Sequence, residues 1–163
     1  MKYKVIDNFL PKKDFESIRD MLMHNKDFPW FYHPDVTYLN VELEKVFYFC
    51  HIFYKNNAPN SAFLSVLDPL ISKLDIKALI KIKSNLYPNI GHHIQDIEHT
   101  DYPYEHKGAI YYINTNNGPT TLDDGTEIES VENRILLFES HKMHNSYYCT
   151  DKKTRVNINI NYF

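Results

Sequence analysis

The sequence predicts a mostly β protein with helices flanking its N-terminal side. Three observations carry that prediction: a helical apolar period near the N-terminus, a change to short β-branched runs after about residue 75, and clean two-residue alternation in two of those runs.

Taken in order, "YKVID" suits a short strand, and Pro11 then opens a helix in which Phe15, Ile18, Met21 and Leu22 share one face. Two further apolar-periodic segments, Val41 to Tyr54 and Ser61 to Leu74, read as helical, the second interrupted at Pro69. Between them and the first helix, "NKDFPWFYHPDVTY" (Asn25 to Tyr38) holds the only Trp and two prolines, too irregular for either period. It reads as a loop packed on the core by its aromatics, with a lid over a site as the alternative.

The second half changes period. "ALIKIKSNLYP", "GAIYYIN", "GTEIES", "RILLF" and "RVNININYF" are short aromatic or β-branched runs separated by Pro, Asn-Gly or Asp-Gly turn signals. With no helical pattern between them, they predict an antiparallel sandwich or barrel. The 163 residues fit one domain, with 1–75 as a mainly helical flank and 76–163 as the β core.

Two strands carry the informative polarity. In "RVNININYF", Val156, Ile158, Ile160 and Tyr162 oppose Arg155, Asn157, Asn159 and Asn161; in "IKIKSNLY", Ile80, Ile82 and Leu86 oppose Lys81, Lys83, Asn85 and Tyr87. A polar strand face usually looks at water. Here the helices need a sheet to pack on, and if they cover the apolar faces, the polar faces point into the barrel mouth.

Composition removes several classes. A net charge of −3 gives no basic field of the kind that dominates nucleic-acid binding, although Lys77, Lys81 and Lys83 form a local patch. Two cysteines are too few for a disulfide framework or a Cys-rich zinc site, and no run approaches membrane-spanning length. "MKYKVIDNFLPKKDFE" lacks the apolar core of a signal peptide, so the expected compartment is the cytoplasm.

His99-Thr100-Asp101 places an imidazole and a carboxylate at i and i+2, on one face of a strand, and a second His from elsewhere would complete a facial triad of the non-haem Fe(II) type. The triplet alone says little: with 9 His and 12 Asp in 163 residues, about 0.7 occurrences arise by chance, and the chain has two. The other, His33-Pro34-Asp35, lies in the aromatic loop ahead of most of the helical region. His99 follows a strand and opens the β half, with imidazoles and a cation downstream. His92 and His93 in "GHHIQDIEHTD" match neither a His-x-His pattern nor His-Glu-x-x-His and read as loop residues near the mouth.

The ordered set "KIKSNLYP", His99-Thr100-Asp101, "GAIYYINTNNGPTTLDDGTEIESVENRILLFES", His144 and Arg155 resembles the 2-oxoglutarate and Fe(II)-dependent dioxygenases of the prolyl-4-hydroxylase-like group. The opening "YKVIDNFLP" is similar to the same group, and "FPWFY" with "ALIKIKSNLYP" looks most like its small phage-encoded and marine bacterial members, for which the compartment would be the host cytoplasm. The resemblance implies a double-stranded β-helix, a cupin-like jelly roll of two sheets with N-terminal helices flanking the larger one. It implies metal ligation by His99, Asp101 and His144, pairing of Arg155 with the distal carboxylate of 2-oxoglutarate, and help from the Tyr87 hydroxyl.

The implied cofactors are Fe(II), 2-oxoglutarate and O₂, with ascorbate as an accessory. The implied reaction is hydroxylation of a prolyl or other peptidyl side chain, or of a small molecule, with release of succinate and CO₂. Asp101 disfavours halogenation, since halogenating relatives carry a small residue there. "NNGPTTL", with Gly118 its only glycine, departs from the two glycines of many relatives and weakens any transfer of substrate. Two other classes stay open: a non-catalytic jelly-roll binding module, and a metal-dependent hydrolase or isomerase using the same triad without need of Arg155. Residues i and i+3 of an extended strand face opposite ways, so His141 and His144 should not reach one metal together; the spacing to Ser140 and Arg155 selects His144 and leaves His141 at the rim.

Overall fold

The computed structural model describes residues 3–34 and 46–163. Eleven strands and two α-helices are present among them. The first strand, β1 (Lys4–Ile6), is followed by α1 (Lys12–Met23), whose buried face is Phe15, Ile18, Met21 and Leu22, as the period predicts. Pro11 sits at the helix N-terminus, where its missing N–H costs nothing, and Asp14 lies in the first turn.

The entry to this helix is fastened to the sheet by Asn133. The Leu10 N–H donates to Asn133 Oδ1 at 2.9 Å, Asn133 Nδ2 donates to Leu10 O at 2.9 Å, and the Tyr111 hydroxyl donates to the same Oδ1 at 2.7 Å. Asn133 has φ 58°, a left-handed conformation that asparagine tolerates better than most residues.

A short edge strand, β2 (Phe31–His33), pairs with β3 (Tyr48–Lys55), which also pairs with β4 (Ala58–Pro59). The expectation of a helix over Val41 to Tyr54 is therefore corrected: residues 41–45 lie outside the described part, and Tyr48 onward is strand. "YFCHIFYK" is aromatic-rich and β-prone, and the sheet offers it an edge on β5, so pairing overrides an apolar spacing that also fits a helix. The expectation of a loop over Asn25 to Tyr38 is corrected in part: Phe28 is buried and Trp30 Nε1 donates to Leu22 O at 3.3 Å, as aromatic packing predicts, but Phe31–His33 is strand because β3 offers it an edge; Phe31 and Tyr32 are exposed, and residues 35–38 lie outside the described part. Ser61 to Leu74 is helical in two pieces, a 3₁₀ turn (Leu64–Leu67) running into α2 (Asp68–Ser72), with Pro69 in its first turn.

The remaining strands are β5 (Leu79–Pro88), β6 (Lys107–Tyr112), β7 (Asn116–Leu122), β8 (Glu127–Ser130), β9 (Ile135–Phe138), β10 (His144–Ser146) and β11 (Thr154–Tyr162). They form two antiparallel sheets: a large one in the order β1-β9-β6-β11-β5-β3-β2, with β4 paired to β3, and a small one in the order β10-β7-β8. "NNGPTTL" is strand β7, so Asn117-Gly118 is not a turn; the turn glycine of this region is Gly125, at φ 81°. Gly118 is required instead by close packing, since a Cβ there would stand 2.6 Å from Tyr147 O and 2.9 Å from Arg155 Cδ.

Two apolar layers separate the elements. Phe15, Ile18 and Leu22 of α1 pack on Val156, Ile158, Ile160 and Ile82, the outer faces of β11 and β5. Between the sheets, Ile110, Tyr112, Leu122, Ile128, Leu136 and Phe138 form a second cluster. With the outer face so covered, the opposite faces of β11 and β5 look into the space between the sheets, and Arg155, Asn157, Asn159 and Asn161 are all buried there. The double-stranded β-helix is thus built as strand polarity requires. No helix among the described residues is long and apolar enough to cross a membrane.

Candidate metal centre

Between β5 and β6 the chain runs for 18 residues, 89–106, without a regular strand. Isolated bridges dock it on β10 and its extension: Gln95 pairs with Tyr147, and His99 pairs with His144. The latter exchange is reciprocal, His99 N–H to His144 O and His144 N–H to His99 O, both 3.0 Å. Two residues on, the Asp101 N–H donates to Ser140 O at 3.1 Å.

This docking brings three side chains together. His99, Asp101 and His144 each offer a ligand atom, all within 4.8 Å of one another, and they are the only such cluster of three among the described residues. His99 Nε2 lies 4.0 Å from Asp101 Oδ1, and His144 Nε2 lies 3.9 Å from Asp101 Oδ2. His99 is exposed, Asp101 nearly covered and His144 buried.

The imidazoles are oriented by their other nitrogens. His99 Nδ1 is 3.0 Å from Ile97 O, and His144 Nδ1 is 3.0 Å from Lys142 O. A carbonyl can only accept, so each contact fixes the proton on Nδ1 and leaves the Nε2 lone pair facing the carboxylate. Burial holds the His144 pKa below the ordinary histidine range, the Asp101 charge opposing it, so the ring favours the neutral form that a metal needs. Asn159 Nδ2 approaches Asp101 Oδ2 at 3.4 Å from the β11 side. A donor set of two oriented neutral imidazoles and one carboxylate fits a divalent transition metal with open positions.

Arg155 is the second feature. It has no exposure, yet no ion pair to it occurs among the described residues. Nε donates to Gly118 O at 2.9 Å and to Ser130 Oγ at 3.2 Å, one terminal nitrogen donates to Thr120 Oγ1 at 3.0 Å, and Nη1 has no partner. The guanidinium also lies over the rings of Tyr87 and Tyr112, at 5.4 and 5.9 Å. A buried cation with an orphaned N–H is costly, and a carboxylate would satisfy both the charge and the donor.

Tyr87 stands opposite Arg155 in the β5–β11 register and stacks on Tyr48 with ring centres 5.5 Å apart. Burial pushes its phenol well above the ordinary tyrosine range, so it is a neutral O–H donor. A cleft of about 340 Å³ joins Tyr87, Asn157 and Asn159 to His99 and His144, so both imidazoles of the triad and the ring that Arg155 lies over open on one space.

The other histidines lie elsewhere. His141 is in a turn, Lys142 N–H to Glu139 O at 2.9 Å, so the chain does bend between His141 and His144; His141 nevertheless packs toward His106, with its ring centre 6.3 Å from that of His106. His92 and His93 are exposed, and His93 Nε2 contacts Asn117 O at 2.9 Å. His33 stacks on Tyr48, and Asp35 lies outside the described residues. One residue of the cleft escapes sequence reasoning, and a second is legible only from strand alternation. Asp96 lines it with a carboxyl pKa raised by burial, and nothing in its spacing marks it. Lys83 reads in the sequence as part of a basic patch and a polar strand face, and that alternation is the signal that aims it into the cleft.

No family model matches the sequence, and no curated protein does. Solved structures do match the fold. A prolyl hydroxylase from Trichoplax adhaerens, solved with a hypoxia inducible factor peptide fragment, superposes with a TM-score of 0.70 at 16% identity over 99% of this chain and 83% of that one. A Pseudomonas putida prolyl-4-hydroxylase gives 0.67 at 15% identity, over 98% and 91% of the two chains. A non-heme alpha-ketoglutarate-dependent epimerase from nogalamycin biosynthesis gives 0.63 at 12% identity, over 99% and 77%. What is shared at these identities is the fold: the chain is a jelly roll of the kind on which prolyl hydroxylases and that epimerase are built.

Proposed function

We propose that the protein is an Fe(II)- and 2-oxoglutarate-dependent oxygenase that hydroxylates a prolyl or other peptidyl side chain. One observation carries the reading: the two oriented imidazoles of a His-Asp-His triad line a cleft together with Tyr87, and over the Tyr87 ring lies a buried guanidinium that has no ion pair among the described residues. A facial triad alone would also serve a hydrolase or isomerase, but neither requires the buried cation. A binding module without turnover would have no need to keep both imidazoles in the metal-ready tautomer.

In this reading His99, Asp101 and His144 hold Fe(II), and Arg155 with the Tyr87 hydroxyl receives the far carboxylate of 2-oxoglutarate. With O₂ as the oxidant, the bound pair would couple oxidative loss of CO₂ from 2-oxoglutarate to hydroxylation of an unactivated C–H bond, one oxygen atom going to succinate and one to the substrate. The chain's own residues supply the rest. Ile97 O and Lys142 O keep the imidazoles from rotating, Gly118 leaves room for the Arg155 side chain, and Tyr112 and Ile110 line the apolar interior beside the site. The fold hosts an epimerase as well as hydroxylases, so hydroxylation rests on the resemblance of the ordered motif and not on the superposition.

The test is anaerobic titration of the protein with Fe(II) and then 2-oxoglutarate, followed by admission of O₂ and assay of succinate. Metal-dependent 2-oxoglutarate binding with slow succinate formation is expected. A folded protein that binds neither would overturn the reading, and succinate formation unaffected by Arg155→Glu would exclude the assigned role of that residue.

A further inference from the structure

The inner face of β5 carries two lysines that neither the metal nor 2-oxoglutarate requires. In the β5–β11 register Lys83 is opposite Asn159, the residue that reaches Asp101, and Lys81 is opposite Asn161. Directly opposed residues of an antiparallel pair stand about 4.5–5.5 Å apart at Cβ on one face. Lys83 therefore lies level with the triad, and it lines the same cleft. Arg155 is four residues away along β11, roughly 13 Å at ordinary strand rise. The guanidinium end thus lies apart from the lysine end along the two strands, with Lys81 farther still from Arg155 than Lys83.

No ion pair to Lys81 or Lys83 occurs among the described residues, although the charges of Asp101 and Asp96 act on Lys81 and Lys83 from a distance. Burial and the neighbouring Lys83 both push the Lys81 pKa down, outweighing the pull of Asp101, and Lys55 adds to the effect. Asp96 also faces the cleft, but its amide donates to Ser146 O at 2.7 Å and its Oδ1 accepts from the Ile97 N–H at 2.8 Å, which ties it to the connecting segment. Two ammonium groups held beside each other in a half-buried mouth call for an oxyanion.

We infer that Lys83, supported by Lys81, receives an oxyanion of the substrate, so the oxidised carbon belongs to a molecule bearing a carboxylate or phosphate close to it. This rests on the proposed function in one respect only, that the opposite end of the cleft is taken by 2-oxoglutarate. A neutral substrate would leave both ammonium groups unpaired beside the metal. An anionic one neutralises them and is drawn to the mouth.

The test follows lysine Hε–Cε resonances of the full chain loaded with Zn(II) and 2-oxoglutarate. Three probes are titrated separately: acetyl-aspartate amide, acetyl-asparagine amide, which differs by one carboxylate, and inorganic phosphate. Saturable shifts of Lys83 and Lys81 with acetyl-aspartate amide are expected, with the asparagine amide at least 10-fold weaker. Lys83→Gln should weaken the response 10-fold or more, Lys83→Arg should restore it, and the affinity for 2-oxoglutarate should stay within 2-fold in both. A response to phosphate alone supports the assignment and names a phosphoryl group as its source. Equal, saturable responses to the two amides, no response to either anion, or displacement of 2-oxoglutarate by acetyl-aspartate amide would overturn it. Failure of the proposed function itself shows separately, as absence of any Zn(II)-dependent response to 2-oxoglutarate.

Discussion

Replacing Arg155 by methionine separates binding from stability. The three groups that accept from its guanidinium each keep another partner: Gly118 O still accepts from Ser130 Oγ at 2.6 Å, which satisfies Ser130 as well, and Thr120 Oγ1 still accepts from the Tyr112 hydroxyl at 2.9 Å. The substitution orphans no buried acceptor and removes a desolvated cation whose burial costs several kcal/mol. The ligand-free variant should therefore melt at or above the wild-type temperature.

Its response to 2-oxoglutarate should collapse. Removing one partner of a buried, charge-assisted pair costs about 3 kcal/mol, a roughly 100-fold drop in affinity. With Zn(II) present and 2-oxoglutarate at 100 times the wild-type Kd, linkage stabilises the wild type by about 2.7 kcal/mol and the variant by only about 0.4 kcal/mol. For a domain of this size the wild-type gain is roughly 5–11 °C in Tm. Thermal melts with and without 2-oxoglutarate check both halves. A variant that keeps the ligand-induced shift would refute the carboxylate role, and one that loses more than about 3 kcal/mol without ligand would refute the claim that the cation is uncompensated.

Three further outcomes are expected. His144→Ala should weaken Mn(II) binding at least 100-fold by calorimetry, whereas His141→Ala should leave it within about 2-fold. Gly118→Ala should cost on the order of 2 kcal/mol in urea melts and lower 2-oxoglutarate affinity, because its Cβ would press on both Tyr147 O and Arg155 Cδ. His51, hydrogen-bonded to Pro29 O and Ser61 Oγ, has a pKa lowered by burial; the unfolded chain takes up its proton first as pH falls, so metal-free stability should drop below about pH 6.5, less steeply in His51→Gln.

Sequence and structure agree where a residue's role follows from local period. The α1 face and the two-sided polarity of β5 and β11 are legible because helices cover one side of those strands, which forces the polar side inward. The pairing of His99 with His144 is legible only through the resemblance, since the two are 45 positions apart and no spacing rule joins them. Three features are hidden by non-local causes. "YFCHIFYK" is strand because β5 has a free edge, Asn117-Gly118 is strand because Arg155 must pass close to its backbone, and His141 is turned aside by a bend at Glu139 to Lys142.

The docking of residues 94–101 has a consequence for affinity. His99 and Asp101 travel together on this segment while His144 stays on β10, and the segment is held by a short ladder: Tyr148 N–H to Ile94 O, Asp96 N–H to Ser146 O, and the reciprocal His99–His144 pair. Opening that ladder would remove two of the three proposed ligands at once, so the apparent metal dissociation constant would equal the intrinsic one divided by the closed fraction. A mutation in the ladder that touches no ligand would weaken metal binding by the amount it opens the segment. Conversely, the metal would act as a clasp between β10 and a stretch without regular secondary structure, protecting the amides of 94–101 from hydrogen exchange in proportion to its occupancy.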